Sequence, residues 1–171
     1  MHTVTRALAI MRHSKAEPSA ATDEERVLTA RGESDARAAG EWLAGQDVVL
    51  DSVLVSSAAR VVGTWEHVAQ GAGLDLEPVV ESALYAAGPE SALDLIRLTD
   101  EAATGLLVVG HNPTMASLAQ MLDDGDGDPD ALEALISGFP TSAVAVFDVR
   151  GSWADLEPGG ARLRSCHVGR G

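Results

Sequence analysis

The sequence is poor in basic residues, cysteine and aromatic residues. Its 12 lysines and arginines stand against 26 acidic residues, a formal net charge of −14. This balance opposes general binding to nucleic acid or to an anionic membrane, both of which require a basic surface. The single cysteine, Cys166, cannot form an internal disulfide, which is compatible with a reducing compartment. With 4% aromatic residues, the core is expected to consist mainly of alanine, valine and leucine.

Long apolar runs and recognisable cofactor motifs are also lacking. No stretch approaches the roughly 20 apolar residues of a transmembrane helix, and the first residues do not have the order of a secretory signal, so we expect a cytoplasmic protein. The acidic run of residues 124–128 departs from a calcium loop because Pro129 stands where glycine is required. Neither a metal nor a cofactor is predicted.

The chain length indicates one domain. At 171 residues, the chain can bury a sizeable core but is too short for two ordinary domains. Apolar strand-like runs alternate with helical patterns, which predicts an α/β fold with a mostly parallel central sheet covered on both faces. The predicted strands are residues 7–11, 51–56, 76–80, 106–109, 143–147 and, at an edge, 162–168. The predicted helices are residues 29–43, 58–70, 89–98, 112–122 and 130–136.

Polar residues follow three of the predicted strands at the point where each strand ends. In open α/β sheets, ligands bind beyond the carboxyl ends of the strands, where loops and helix N-termini converge. We therefore expect these polar side chains to meet at one edge of the sheet. They are Arg12, His13, Arg60 and His111.

Two arginines and two histidines form a set that suits phosphoryl transfer. A neutral imidazole can act as a nucleophile and accept a phosphoryl group. The planar guanidinium group binds phosphate oxygens in pairs. Nearby arginines also favour the neutral form of a histidine because like charges repel. The predicted site therefore needs no metal.

The same residues lie in blocks that resemble the histidine phosphatase superfamily, and most closely its SixA branch of small phosphohistidine phosphatases. Any one block is a weak signal, but several in the right order over roughly residues 5–150 are a strong one. The blocks are Arg12-His13-Ser14-Lys15-Ala16, Leu28-Thr29-Ala30-Arg31-Gly32, Ser56-Ser57-Ala58-Ala59-Arg60, Gly110-His111-Asn112-Pro113 and Pro140-Thr141-Ser142-Ala143.

The resemblance implies a three-layer α/β/α sandwich of the phosphoglycerate mutase-like type. It also implies that His13 is phosphorylated, that Arg12 and Arg60 bind the phosphoryl oxygens, and that His111 donates to them. Lys15 is expected at the rim of the substrate site. Three positions depart from the family pattern: Ser14 replaces glycine, Ser57 replaces proline, and Gly63 stands where glutamine is frequent.

The substrate prediction depends on the leaving group. Family members that cleave phosphate esters use a carboxylic acid after the third strand, and Glu81 is the only carboxylate near that position. Imidazole leaves more readily than an alkoxide, so a missing acid matters less for phosphohistidine. We therefore favour phosphohistidine in a protein partner as the substrate. The alternatives are a small-molecule phosphatase for sugar phosphates or nucleotides that uses Glu81 as acid, and a non-catalytic phosphate- or phosphopeptide-binding domain.

Overall fold

The computed structural model describes residues 5–171, which form a six-stranded sheet in the order β3-β2-β4-β1-β5-β6. The strands are β1 (Thr5–Arg12), β2 (Ser52–Ser56), β3 (Val79–Glu81), β4 (Gly105–Gly110), β5 (Ala143–Arg150) and β6 (Ala161–Val168). The helices are α1 (Ala30–Ala44), α2 (Ala59–Ala72), α3 (Pro89–Arg97), α4 (Thr114–Leu122) and α5 (Pro129–Ser137). None of the helices in this part of the chain is long and apolar enough to cross a membrane.

Helices cover both faces of the sheet. Successive side chains of a strand point to opposite faces, so Leu8 and Ile10 of β1 pack with α3, α4 and α5, while Ala9 and Met11 pack with α1 and α2. All four of these β1 side chains are completely buried. The predicted α/β/α sandwich is therefore confirmed.

Strand register determines which loops meet. Strand β1 runs parallel to β4, with Arg12 opposite Gly110, and β2 runs parallel to the other side of β4. His13 and His111 therefore leave adjacent strands at the same edge. Strands β5 and β6 are antiparallel, so the parallel part of the sheet is β1 to β4.

Several element boundaries differ from the sequence prediction, most by one or two residues, and strand β5 extends to Arg150 rather than ending at residue 147. Strand β3 begins at Val79 rather than at residue 76. Helix α4 begins at Thr114 rather than at residue 112, and the Asn112–Pro113 peptide bond before it is cis. Pro113 is the N-cap residue of α4, and Asn112 Oδ1 accepts from Ala116 N at 3.1 Å.

The start of α1 is tied to the loop that follows β1. Thr29 caps the helix, because its hydroxyl accepts from Gly32 N at 2.9 Å. The Thr29 amide donates to the Lys15 carbonyl at 3.0 Å. A Cβ atom on Gly32 would lie 2.1 Å from that same carbonyl oxygen. Glycine at this position therefore permits the close approach of α1 to the loop that carries His13.

Replacing Gly32 by alanine is expected to lower the free energy of unfolding by about 1–3 kcal/mol, because the Lys15 backbone must move to admit the methyl group. Urea unfolding measures the change. The matched control is Gly63→Ala, the same substitution within helix α2, where an added Cβ meets Leu28 at an ordinary 3.5 Å, and the free energy of unfolding should not fall. Equal effects of the two substitutions would contradict this account of Gly32.

Candidate active site

The carboxyl edge of β1, β2 and β4 carries the predicted residues. The rings of His13 and His111 lie 5.5 Å apart between centroids, with an angle of 62° between their planes. Arg60 projects from the first turn of α2, and its Nη2 lies 3.3 Å from His111 Nδ1. Arg12 precedes His13 directly. The fold thus brings residues from three separate strand ends into one cluster.

The backbone selects one tautomer of His13. A carbonyl oxygen only accepts, so the 2.7 Å contact with the Ser14 carbonyl requires a proton on His13 Nδ1. The other nitrogen, Nε2, then carries the lone pair. Burial lowers the pKa of His13 to about 4, and the positive charges of Arg60 and Arg12 act in the same direction. At neutral pH the ring is therefore uncharged, as a nitrogen nucleophile requires.

His111 is also neutral, with the opposite arrangement of donor and acceptor. Its Nδ1 accepts from Arg60, which places the proton on Nε2, and Nε2 then donates to Ser56 Oγ at 2.7 Å. Burial lowers the pKa of His111 to about 4, helped by Arg60 and by His13 and opposed by Asp23. His111 therefore carries its single N–H on Nε2, where that hydrogen is engaged with Ser56 Oγ.

Both arginines keep hydrogen-bond donors free. Arg12 Nη1 donates to the Phe139 carbonyl at 3.3 Å, and Asn112 donates to the same carbonyl at 2.7 Å. Among residues 5–171, the Nε–H groups of Arg12 and Arg60 are buried and have no acceptor. Buried unpaired donors are costly, so these two groups are suited to an anion that supplies acceptors.

A carboxylate that sequence reasoning missed contacts Arg60. Asp23 accepts from Arg60 twice, through its carbonyl at 2.8 Å and through Oδ2 at 3.0 Å, and the Tyr85 hydroxyl donates to the same Oδ2. The hydrogen bond from Tyr85, followed by those from Arg26 and Arg60, holds the pKa of Asp23 far below its ordinary value. Asp23 is therefore ionised at neutral pH.

A chain of hydroxyl groups links the loop of His13 to α2. The Ser14 amide donates to Thr64 Oγ1 at 2.9 Å, and the Thr64 hydroxyl donates to the Arg60 carbonyl at 2.7 Å. The Ser14 side chain, at the position that departs from the family's glycine, forms a buried 2.6 Å hydrogen bond with Ser142. The serine therefore adds a link between the loop of His13 and the residue that precedes β5.

The remaining two candidates lie outside the cluster. The Lys15 side chain is exposed, as expected for a rim position, while its carbonyl is the acceptor for Thr29. Glu81 Oε1 accepts from the Ala83 amide at 3.1 Å and so caps the short helical turn Ser82–Leu84. Within residues 5–171, neither side chain forms a hydrogen bond or ion pair with Arg12, His13, Arg60 or His111.

The lowered histidine pKa values predict a loss of stability in acid. Both rings ordinarily titrate near 6.5 and are held at about 4 in the folded protein. Between these two values the unfolded chain binds more protons than the folded chain. The contribution of the two histidines to the free energy of unfolding is therefore complete above pH 6.5 and decreases as the pH falls towards 4.

Urea unfolding across this pH range measures the effect, and NMR titration of the imidazole protons assigns it. The control is the double variant His13→Asn/His111→Asn, whose stability should depend less steeply on pH in the same interval. Titration of both rings near their ordinary pKa in the folded wild-type protein would refute the prediction.

The chain is similar in sequence to known members of one protein family. The profile of the histidine phosphatase superfamily (branch 1) matches residues 8–85. The chain is 34% identical over 138 residues to the phosphohistidine phosphatase SixA of Escherichia coli, covering 80% of this chain and 81% of that protein.

Two solved structures agree in fold. One is a Nakamurella multipartitia protein assigned as a phosphohistidine phosphatase SixA, with 33% identity, a TM-score of 0.84 and 96% of both chains covered. The other is the protein histidine phosphatase SixA in complex with tungstate, with 28% identity, a TM-score of 0.76 and coverage of 95% of this chain and 96% of that one. The chain therefore belongs to the histidine phosphatase superfamily, in its SixA branch.

Proposed function

We propose that the protein is a phosphatase that removes the phosphoryl group from phosphohistidine in a protein partner, through a phosphorylated His13. The observation that carries this proposal is the pair of neutral imidazoles 5.5 Å apart beside two arginines with free buried donors. Membership of a phosphatase superfamily supports the reaction class. The tungstate complex of a structural neighbour shows that a related protein accepts a tetrahedral oxyanion.

In the proposed first step, the Nε2 lone pair of His13 attacks the phosphorus atom. A bond forms between Nε2 and phosphorus while the bond from phosphorus to the substrate imidazole breaks. The substrate ring leaves as neutral imidazole when its second nitrogen is already protonated, so no proton from the enzyme is needed. Arg12 and Arg60 stabilise the negative charge on the phosphoryl oxygens, and the Nε2–H of His111 does so once it exchanges Ser56 Oγ for a phosphoryl oxygen.

In the second step, water attacks phosphorus and the bond to His13 Nε2 breaks. Inorganic phosphate leaves, the proton of the water passes to phosphate or solvent, and His13 regains its lone pair. Splitting one displacement into two is the advantage of a nucleophilic enzyme group.

The acid–base properties of the site favour a substrate in which an N–P bond, rather than an ester bond, is cleaved. An alkoxide leaving group requires a proton donor, which contributes roughly 10²- to 10⁴-fold in rate. The carboxyl group in contact with the cluster, Asp23, is ionised because of its three hydrogen-bond donors. Glu81, the acid of the small-molecule alternative, is engaged with the Ala83 amide. A leaving group that needs no acid therefore suits this arrangement.

The test compares kcat/KM for phosphohistidine with kcat/KM for alkyl phosphate esters. We expect a preference for phosphohistidine of about 10²-fold or more, the contribution of a missing general acid. Glu81→Gln serves as the matched variant and should change the phosphohistidine rate little. Comparable rates on esters together with a selective loss of ester hydrolysis in Glu81→Gln would instead establish the small-molecule alternative.

A further inference from the structure

An open groove of about 470 Å³ lies beside the cluster, between the N-terminal parts of α1 and α2. Its apolar lining includes Val27, Leu28, Ala59 and Val62. Two carboxylates, Glu33 and Glu66, also line it. Val27 is 55% exposed, which is high for a valine beside a concave surface. The groove therefore offers uncovered apolar area next to negative charge, and we refer to it as the α1–α2 groove.

The α1–α2 groove is adjacent to the groups that would bind phosphate. On α2, Ala59 directly precedes Arg60, and Gly63 lies one turn after it. Leu28 directly precedes Thr29, whose amide donates to the Lys15 carbonyl. Asp23 accepts from Arg60, and Val27 and Leu28 at the end of the same segment line the groove, so this segment connects the phosphate-binding side of the cluster to the groove. A protein with a phosphohistidine at His13 would then have its neighbouring residues close to this segment.

Gly63, which has no side chain, lies at the floor of the groove. A Cβ atom there would meet Leu28 at 3.5 Å, an ordinary contact, so packing does not require glycine at this position. His67 donates from Nδ1 to the Gly63 carbonyl at 2.9 Å, and its Nε2 lies 2.9 Å from Glu33 Oε2. This contact joins Glu33 of α1 to α2 within the lining of the groove.

The groove carries two carboxylates, and one of them has no ion-pair partner among the described residues. Glu33 shares its carboxylate with His67, whereas Glu66 is exposed and has no ion-pair partner among residues 5–171. No lysine or arginine of the described chain lines the groove. Complementary charge favours a cationic partner at such a surface and raises the rate of encounter.

We propose that the α1–α2 groove binds an apolar side chain flanked by lysine or arginine in the protein that carries the phosphohistidine. The apolar chain covers Val27 and Val62, and the basic neighbour pairs with Glu66. This inference rests on the proposed function and specifies its substrate class: a phosphoprotein with a basic and apolar segment close to the modified histidine.

The test uses three synthetic histidine peptides, phosphorylated on histidine with phosphoramidate. They differ only in the residues flanking the histidine, which are lysine and leucine, glutamate and leucine, or lysine and serine. We expect kcat/KM to be about tenfold higher for the lysine–leucine peptide than for either of the others, which corresponds to one favourable contact. Equal rates on all three peptides would overturn the proposal.

Two variants assign the preference to the groove. Glu66→Lys should remove the preference for lysine over glutamate, and Gly63→Gln should remove the preference for leucine over serine by filling the floor. Neither should change turnover of free phosphohistidine, which does not reach the groove. The control is Glu41→Lys, the same charge reversal at the other end of α1, which should leave every preference intact. A preference for lysine that persists in Glu66→Lys would show that the groove is not its source.

Binding of the unphosphorylated peptides, measured by fluorescence anisotropy, separates this inference from the proposed function. If phosphohistidine is not hydrolysed but the lysine–leucine peptide still binds best and loses affinity in Glu66→Lys, the proposed function is wrong and the groove assignment stands. If hydrolysis occurs without any dependence on flanking residues in either assay, the proposed function stands and the groove assignment is wrong.

Discussion

Replacing His13 by alanine is expected to lower kcat by a factor on the order of 10⁴ or more, because the substitution removes the nitrogen that would form the covalent intermediate. Water would then have to displace the leaving group directly, in a cluster whose geometry is built around the Nε2 lone pair. Substrate binding should persist, since Arg12, Arg60 and His111 remain. The change is therefore expected in kcat far more than in the affinity for phosphate or tungstate.

Rapid-quench labelling under alkaline conditions provides a second measurement, since phosphohistidine survives alkali better than acid. The wild-type protein should incorporate one phosphoryl group, mapped to residue 13, and His13→Ala should incorporate none. His167→Ala is the matched control, because His167 stacks on Trp42 rather than on the cluster. Full turnover in His13→Ala would refute the mechanism. A wild-type protein that binds tungstate tightly without turnover would instead support the non-catalytic phosphate-binding alternative.

The second large effect is expected for Arg60→Lys, which should lower kcat/KM by about 10³-fold, the lower end of what a single transition-state arginine contributes. Lysine keeps the charge but loses the planar fork that binds two oxygens at once. Arg60 donates to Asp23 and His111 through its Nη atoms and keeps a separate Nε–H for phosphate. The single ammonium group of lysine cannot serve these separated acceptors together. Because Arg60 is 6% exposed, a shorter and more hydrated ammonium group would not reach the same position.

The control for Arg60→Lys is Arg37→Lys, the same replacement at an exposed position of α1 whose guanidinium contacts Gln70. Thermal unfolding of both variants separates misfolding from loss of chemistry. A loss below about tenfold in the folded Arg60→Lys variant would mean that charge alone suffices, and bidentate binding by Arg60 would be excluded.

Local signals in the sequence predicted the main elements and the members of the cluster. Arg12 and His13 directly follow an apolar run that reads as a strand. Residues that follow parallel strands lie at the same edge of the sheet, so their location could be predicted. Thr29 was recognisable as a helix cap because a threonine before an amphipathic segment satisfies a free amide. These features depend on residues that are neighbours along the chain.

The features that sequence reasoning missed depend on contacts between distant segments. Asp23 lies in an acidic loop without periodicity, and nothing in its surroundings indicated that it would meet Arg60, 37 residues later, or Tyr85. Likewise, the close approach of Gly32 to Lys15 is invisible until α1 is placed on the sheet. The start of α4 was misplaced by two residues because Asn112 and Pro113 both favour the first positions of a helix, whereas here they precede it.

Thr64 connects the two segments that carry His13 and Arg60. Its hydroxyl oxygen accepts from the amide of the residue after His13, and its hydrogen is donated to the carbonyl of Arg60, so both segments are joined to one atom. In the proposed mechanism this shared atom would keep the His13 nitrogen in register with the Arg60 guanidinium, because neither segment could shift alone without breaking one of the two hydrogen bonds.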